Sequence, residues 1–299
     1  MKRLASLSLA LVLVILSIQC NSEQERFDGK RALKDVERLC AFGARPVSSE
    51  ANLRTSRHIA ETLKQNGWEV DVQRFVYEGE TLQNIVGKRG KGPVILVGTH
   101  FDTRPLADRD PSDRSQAVMG ANDGGSGTAV LMELARVLDT AATDQVEIWL
   151  AFFDGKAREN IEGWPCCVGS RHMARNLNAR LEYALIIDMV GDDDQRIYYE
   201  WSSTLWLQEK VWGIAADLGH EAHFIPQHQH RIVGDHTSFL EAGIPAAIVT
   251  DLDYPYWRTG HDTVDKINVN SLQRVGDIME TLLEGEPLRS SFEAHGAQE

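Results

Sequence analysis

The sequence predicts one α/β domain of three layers, a mostly parallel central sheet with helices on both faces. Three observations predict it. Short, wholly apolar runs recur along the chain, amphipathic helical patterns lie between them, and each run ends in residues able to hold a polar ligand. Continuous apolar runs mark strands buried on both faces, as in parallel sheets whose crossover helices cover both sides. With 299 residues the chain has room for one large domain, and no repeat or long low-complexity segment divides it.

The elements follow in order. Lys2 and Arg3 precede an apolar stretch from Ala5 to Ile18, too short to cross a bilayer comfortably, so residues 1–19 read as an export signal. Leu16-Ser17-Ile18-Gln19-Cys20 resembles a bacterial lipoprotein processing site, although Gln19 stands where a small residue is expected. Two outcomes are open: a periplasmic or outer-membrane (cell-surface) lipoprotein held to the membrane through Cys20, or a cleaved, secreted form. Residues 20–30 are polar and read as a tether, and residues 31–299 as the domain. Ala32–Leu39 and His58–Gln65 have helical apolar spacing, and Gly67 stops the second. Trp68–Tyr77 alternates as a half-buried strand does, and Ile85-Val86 fits a neighbouring strand. The buried strands are Val94–Val97, Ile148–Phe153, Ala184–Ile187 and Ala246–Val249, and the helices between and after them are Thr128–Leu138, Leu205–Leu218 and Ser271–Leu283. Tyr198-Tyr199 fits a strand face.

The formal net charge of -13 argues against nucleic acid and against adhesion to an anionic lipid surface, both of which need clustered cations. If Cys20 carries lipid, three cysteines remain, and in an oxidising compartment Cys40 pairs with Cys166 or Cys167; sequence does not choose. The vicinal pair has no second Cys or His pair at zinc-knuckle spacing.

Ligand sites in parallel sheets lie beyond the carboxyl ends of the strands. Those ends carry His100-Phe101-Asp102, Asp154, Asp188 and Asp251. His100 and Asp102 are spaced to face one way on an extended segment. Several carboxylates at one end of a sheet repel unless a cation gathers them. Gly120-Ala121-Asn122-Asp123-Gly124-Gly125-Ser126-Gly127 opens the Thr128–Leu138 helix without the Gly-Lys-Ser/Thr ending of a phosphate loop.

These motifs occur in a fixed order with Phe152-Phe153-Asp154-Gly155, Gly169-Ser170-Arg171, Asp188-Met189-Val190-Gly191, Asp235-His236, Tyr254-Pro255-Tyr256-Trp257 and Asp262-Thr263-Val264-Asp265-Lys266. The series, over roughly residues 35–285, resembles the bacterial, animal-type glutaminyl cyclases (glutaminyl-peptide cyclotransferases), which share a fold with the zinc aminopeptidases. The resemblance implies a zinc-exopeptidase-like fold, zinc as cofactor, and peptide or protein N-termini as partners. It implies acyl transfer within the peptide, N-terminal Gln becoming pyroglutamate with loss of ammonia. Position by position, Asp123 matches the aspartate that binds zinc. His100 and Asp188 match ligands of a second zinc in the aminopeptidases and, with Asp102 and Asp235, an acid network in the cyclases. Trp257 and Trp164 match aromatics that wall the substrate pocket.

The pattern breaks at three places. The proton-shuttle position holds Lys156, and two zinc-ligand positions hold Ala157 and Arg258, leaving Asp123 as the retained ligand of the cyclase ion. A catalytic zinc site normally has three protein ligands and an open position, and one carboxylate is not enough. The leading expectation is therefore an exported pseudoenzyme whose Lys156 and Arg258 neutralise the acidic cluster. One alternative is a zinc-dependent aminopeptidase-type hydrolase using a single metal on His100, Asp123 and Asp188. Another is a rebuilt site in which Glu159 or Glu162 and His261 replace the lost ligands. Elsewhere, His220, His223, His228 and His230 read as a surface loop, Trp201, Trp206 and Trp212 as core or rim aromatics, and Arg171-His172 as part of a helix after Gly169.

Overall fold

The computed structural model describes residues 26–138 and 146–285. The segment read as an export signal, and Cys20, lie outside these residues.

Chain order runs α1 (Gly29–Ala41), α2 (Glu50–Gln65), β1 (Glu69–Tyr77), β2 (Glu80–Gly90), β3 (Val94–His100), α3 (Ser126–Val137), β4 (Glu147–Phe153), α4 (Val168–Arg175) and β5 (Leu181–Asp188). It continues through β6 (Ile197–Glu200), α5 (Leu205–Asp217), β7 (Phe224–His230), α6 (Asp235–Glu241), β8 (Ala246–Thr250) and α7 (Val269–Glu284). Six strands form the main sheet in the order β1-β2-β4-β3-β5-β8. β4, β3, β5 and β8 are parallel, while β1–β2 and β2–β4 are antiparallel.

Strand alternation builds the three layers. Ile95 and Val97 of β3, Leu185 and Ile187 of β5, and Val249 of β8 face one core with α1, α2, α3, α5 and α7. Leu96, Ala184, Ile186 and Ile248 face the other, under Met173 of α4 and Phe239 of α6. Both faces are covered, which is why these strands read as unbroken apolar runs rather than alternating ones. Side chains cap the helices where N–H groups lack partners: Asp28 caps α1, Ser49 caps α2 and Asn268 caps α7.

Several elements differ from the sequence reading. The helix expected from His58 starts at Glu50, since capping by Ser49 rather than apolar spacing sets its start. Ile85-Val86 is the middle of a strand eleven residues long. The His-rich segment is not simply a loop: His228 and His230 belong to β7, which pairs with β6 in a separate two-stranded sheet. Its pattern hides because most of β7 is exposed on both faces. Cys166 bonds Cys167, and Cys40 is free, so the expected long-range disulfide is absent. Phe27 is buried against Gly276, so packing begins inside the segment assigned to the tether.

Candidate functional site

Four parallel strands end at one edge of the sheet, and two of them deliver the first components of the site. β3 ends at His100 and its neighbour β5 at Asp188. The His100 Nε2 lies 3.1 Å from Asp188 Oδ1 and 3.0 Å from Asp123 Oδ1. Its Nδ1 lies 3.1 Å from the Asp102 carbonyl and 3.3 Å from the Asp102 carboxylate.

Asp123 arrives on the glycine-rich loop before α3. Gly124 has φ +93, and a Cβ there would sit 2.5 Å from the Asp102 carbonyl and 3.2 Å from His100 Cε1. Only glycine lets the loop press against the imidazole in that conformation. Asp262 anchors the loop from below, accepting from the N–H groups of Asn122 (2.8 Å) and Asp123 (3.1 Å) and from the Tyr254 hydroxyl (2.9 Å). Burial pushes the Asp262 carboxyl up to about 7. Arg45, fully buried, donates to the carbonyls of Phe101, Met119 and Gly120 and ties the loop to the end of β3. Sequence reasoning missed Arg45. Asp262 was legible only as part of a motif.

The turn after β4 brings Lys156. The N–H groups of Lys156 and Ala157 donate to the two Asp102 oxygens at 3.1 and 2.8 Å, so Asp102 positions this turn as well as the imidazole. The Lys156 Nζ then lies 3.3 Å from Asp123 Oδ1 and 3.0 Å from Asp188 Oδ2. Burial opposes charge on all four groups, but their mutual attraction prevails. Asp123 and Asp188 are held below the usual carboxylate range by the Lys156 and His100 charges. Lys156 is raised by Asp123 and Asp188. His100 is raised well above an ordinary imidazole, because Asp188, Asp102 and Asp123 outweigh burial and Lys156. The Lys156 ammonium and the His100 imidazole thus meet the same two carboxylates in a buried site.

This arrangement tests the fit of a zinc ion. The donor atoms of His100, Asp123 and Asp188 lie within 4.8 Å of one another, the one such group of His, Cys, Asp or Glu among the described residues. The ammonium of Lys156 nevertheless bonds to both carboxylates and stands where a cation shared by them would stand. The residues as they stand do not fit a divalent cation at either family position.

Ala157 is buried and carries no donor. Arg258, at φ 61, ion-pairs with Glu159, and its guanidinium lies 4.4 Å over the Trp257 ring. Exposed Arg109 lies 4.1 Å over the same ring, and the Trp257 Nε1 donates to Asp123 Oδ2 at 3.0 Å. Trp164 is buried between Tyr77, Leu82 and the Arg158 guanidinium. Asp235 opens α6 and accepts from the Ser170 hydroxyl at 2.5 Å. Burial pushes its carboxyl up to about 6, against the pull of the His100 charge. The rebuilt-ligand arrangement finds no support: Glu159 is held by Arg258, Glu162 by Arg158, and His261 is exposed.

Residues 83–283 match peptidase family M28. The chain belongs to that family. Aminopeptidase YwaD of Bacillus subtilis (strain 168) is 28% identical to this M28 chain over 238 residues, covering 71% of the chain. The chain spans 46%, about half, of YwaD's own length. The structure of Tannerella forsythia glutaminyl cyclase is 32% identical with TM-score 0.80, covering 88% of this chain and 100% of that one. A Zn-dependent exopeptidase from Parabacteroides distasonis superposes with TM-score 0.81 at 26% identity, again covering 88% and 100%. The fold of this M28 member is that of the bacterial glutaminyl cyclases and zinc exopeptidases.

Proposed function

We propose that this M28 member is a glutaminyl cyclase-like protein that binds peptide N-termini without converting them, its zinc chemistry having been replaced by an internal cation. The observation that carries this reading is the Lys156 ammonium, at 3.3 and 3.0 Å from Asp123 and Asp188. In the cyclase pattern Asp123 holds the metal, while Lys156 stands at the shuttle position and Ala157 and Arg258 at the other two ligand positions. The same three substitutions remove the shuttle acid, two zinc ligands and the charge deficit that draws a dication. Buried carboxylates left without a counter-ion are costly, and Lys156 and Arg258 offset that cost as the ion would.

In this reading the roles divide as follows. Trp257 and Trp164 wall the pocket, with Arg109 and Arg258 covering the Trp257 ring until a ligand arrives. His100 stays bonded to Asp102 and Asp188, and Asp235 to Ser170, but these groups have no proton shuttle to serve. Asp102 positions His100 and the Lys156–Ala157 turn.

The second reading, a hydrolase with one metal on His100, Asp123 and Asp188, is favoured by their 4.8 Å convergence. It requires Lys156 to withdraw and His100 to lose its proton. A direct test mixes the protein with an N-terminal Gln peptide and follows both indole fluorescence and ammonia. The proposal expects a saturable fluorescence change, no ammonia and no cleavage, with or without added zinc. Zinc-dependent release of ammonia or of the first residue would overturn it.

A further inference from the structure

One cavity of the molecule takes no part in the site above. It lies between the end of β1 and helix α4, and its volume is about 330 Å³. Phe75 and Tyr77 wall it from β1, Arg171, His172 and Arg175 from α4, and Asn176 from the cap that follows α4. Arg171 and Arg175 lie one turn apart, as do His172 and the capping Asn176, so they present one polar face.

The charge of this cavity is opposite to that of the protein. No acidic side chain lines it, although the chain carries a formal charge of -13. The Phe75 ring stacks on His172 at 4.0 Å and 7°, which fixes the imidazole in the wall. The Arg171 Nε is buried and makes no hydrogen bond, and its ion pair to Glu241 is a long one of 3.7 Å. Arg175 is exposed and makes no ion pair among the described residues. Basic residues in a last helical turn offset the helix dipole. That accounts for a cation turned to solvent, not for two arginines around a concave space.

β1 forms one wall of the cavity. It is the outer strand of the main sheet, and an edge strand offers a row of unpaired N–H and C=O groups. From Val72 to Tyr77 it carries Arg74 and no acid, and Val76 is 70% exposed. A peptide that adds to a sheet edge gains affinity from backbone hydrogen bonds and specificity from pockets that take alternate side chains.

We propose that this face binds an extended acidic peptide, which adds to β1 as a further strand and places an Asp or Glu carboxylate in the cavity between Arg171 and Arg175. Guanidinium–carboxylate pairing is the strong, directional contact such a cavity offers. Tyr77 joins the cavity to Trp164, with ring centroids 5.2 Å apart, so a segment held here runs beside the pocket wall. The proposal does not depend on what became of the zinc site.

The test is fluorescence anisotropy with a fluorescein-labelled, N-acetylated peptide of alternating Glu and Val, six residues long, at low salt. Its Gln–Val counterpart and a backbone N-methylated version serve as comparisons. The Glu–Val peptide is expected to bind at least about tenfold more tightly than the Gln–Val peptide, the scale of a hydrogen bond to a charged group. N-methylation is expected to abolish binding. Arg175→Glu and Arg171→Gln should each weaken it by about tenfold or more, while Lys30→Glu, an exposed cation on α1, which packs on α3 and α7, should not. Arg175 is exposed, so its variant tests the idea even if Arg171→Gln fails to fold. Equal affinity for both peptides, an unchanged Arg175→Glu, or full binding of the N-methylated peptide would each overturn the proposal.

Discussion

Lys156 is the residue on which the account turns. Its ammonium is buried, bonded to two carboxylates and held protonated by them. Removing one partner of a buried ion pair typically costs about 3–5 kcal/mol, because the other partner stays buried and uncompensated. Lys156→Ala is therefore expected to lower stability by that order in chelator, read as a drop in the thermal midpoint. The same variant vacates the space between Asp123 and Asp188, so zinc should raise its midpoint and leave that of the wild-type protein unchanged. A Lys156→Ala protein as stable as wild type in chelator would show that the ammonium is not the counter-ion.

At the scale of elements, the sheet brings His100 and Asp188 together by pairing β3 with β5, and close packing at the centre of β3 sets tight limits. A Cβ on Gly98 would lie 2.6 Å from the Phe153 ring and 3.1 Å from Ile186 Cδ1. Gly98→Ala should cost roughly 1–3 kcal/mol by overpacking, measured by urea unfolding. A cost near zero would mean that Phe153 swings away freely. Much of this level was legible in the sequence. The buried strands were plain because both faces of the sheet are covered, and the strand-end residues because apolar runs stop abruptly at His100, Asp154, Asp188 and Asp251. The rest depends on contacts far apart in the chain. Arg45 looks like an ordinary surface cation until β3 and the glycine-rich loop close around it. Glu159, with Glu162, belonged to one alternative as a stand-in ligand, yet the fold pairs it with Arg258. The start of α2 and the strand β7 lack apolar periodicity, the signal on which the reading relied. The vicinal disulfide followed from no spacing rule.

For the whole molecule, several buried carboxyls raised by burial make stability depend on pH. Asp251, at the end of β8, accepts from the N–H groups of Arg196 and Asp253, yet burial raises it to about 7. A carboxyl raised in the folded state stabilises fully below its unfolded value of about 3.9, and that contribution is lost as pH rises through the folded value. Asp251 thus lowers stability progressively between about pH 4 and pH 7. Asp251→Asn should flatten that part of the profile when urea midpoints are compared across the range. Its amide cannot accept from both N–H groups, so absolute stability falls and the slope is the readout. A slope equal to wild type would place the titration elsewhere.

The central claim is that the Lys156 cation stands where the family's zinc chemistry would be. The measurement that tests it most directly is bound zinc per chain, by elemental analysis of folded protein loaded with zinc and then dialysed. The account predicts far less than one zinc on the wild-type chain, and about one on a variant carrying Lys156→Glu, Ala157→Asp and Arg258→His together. One tightly held zinc on the wild-type chain, lost with His100→Ala, would contradict it and establish a metal site on His100, Asp123 and Asp188.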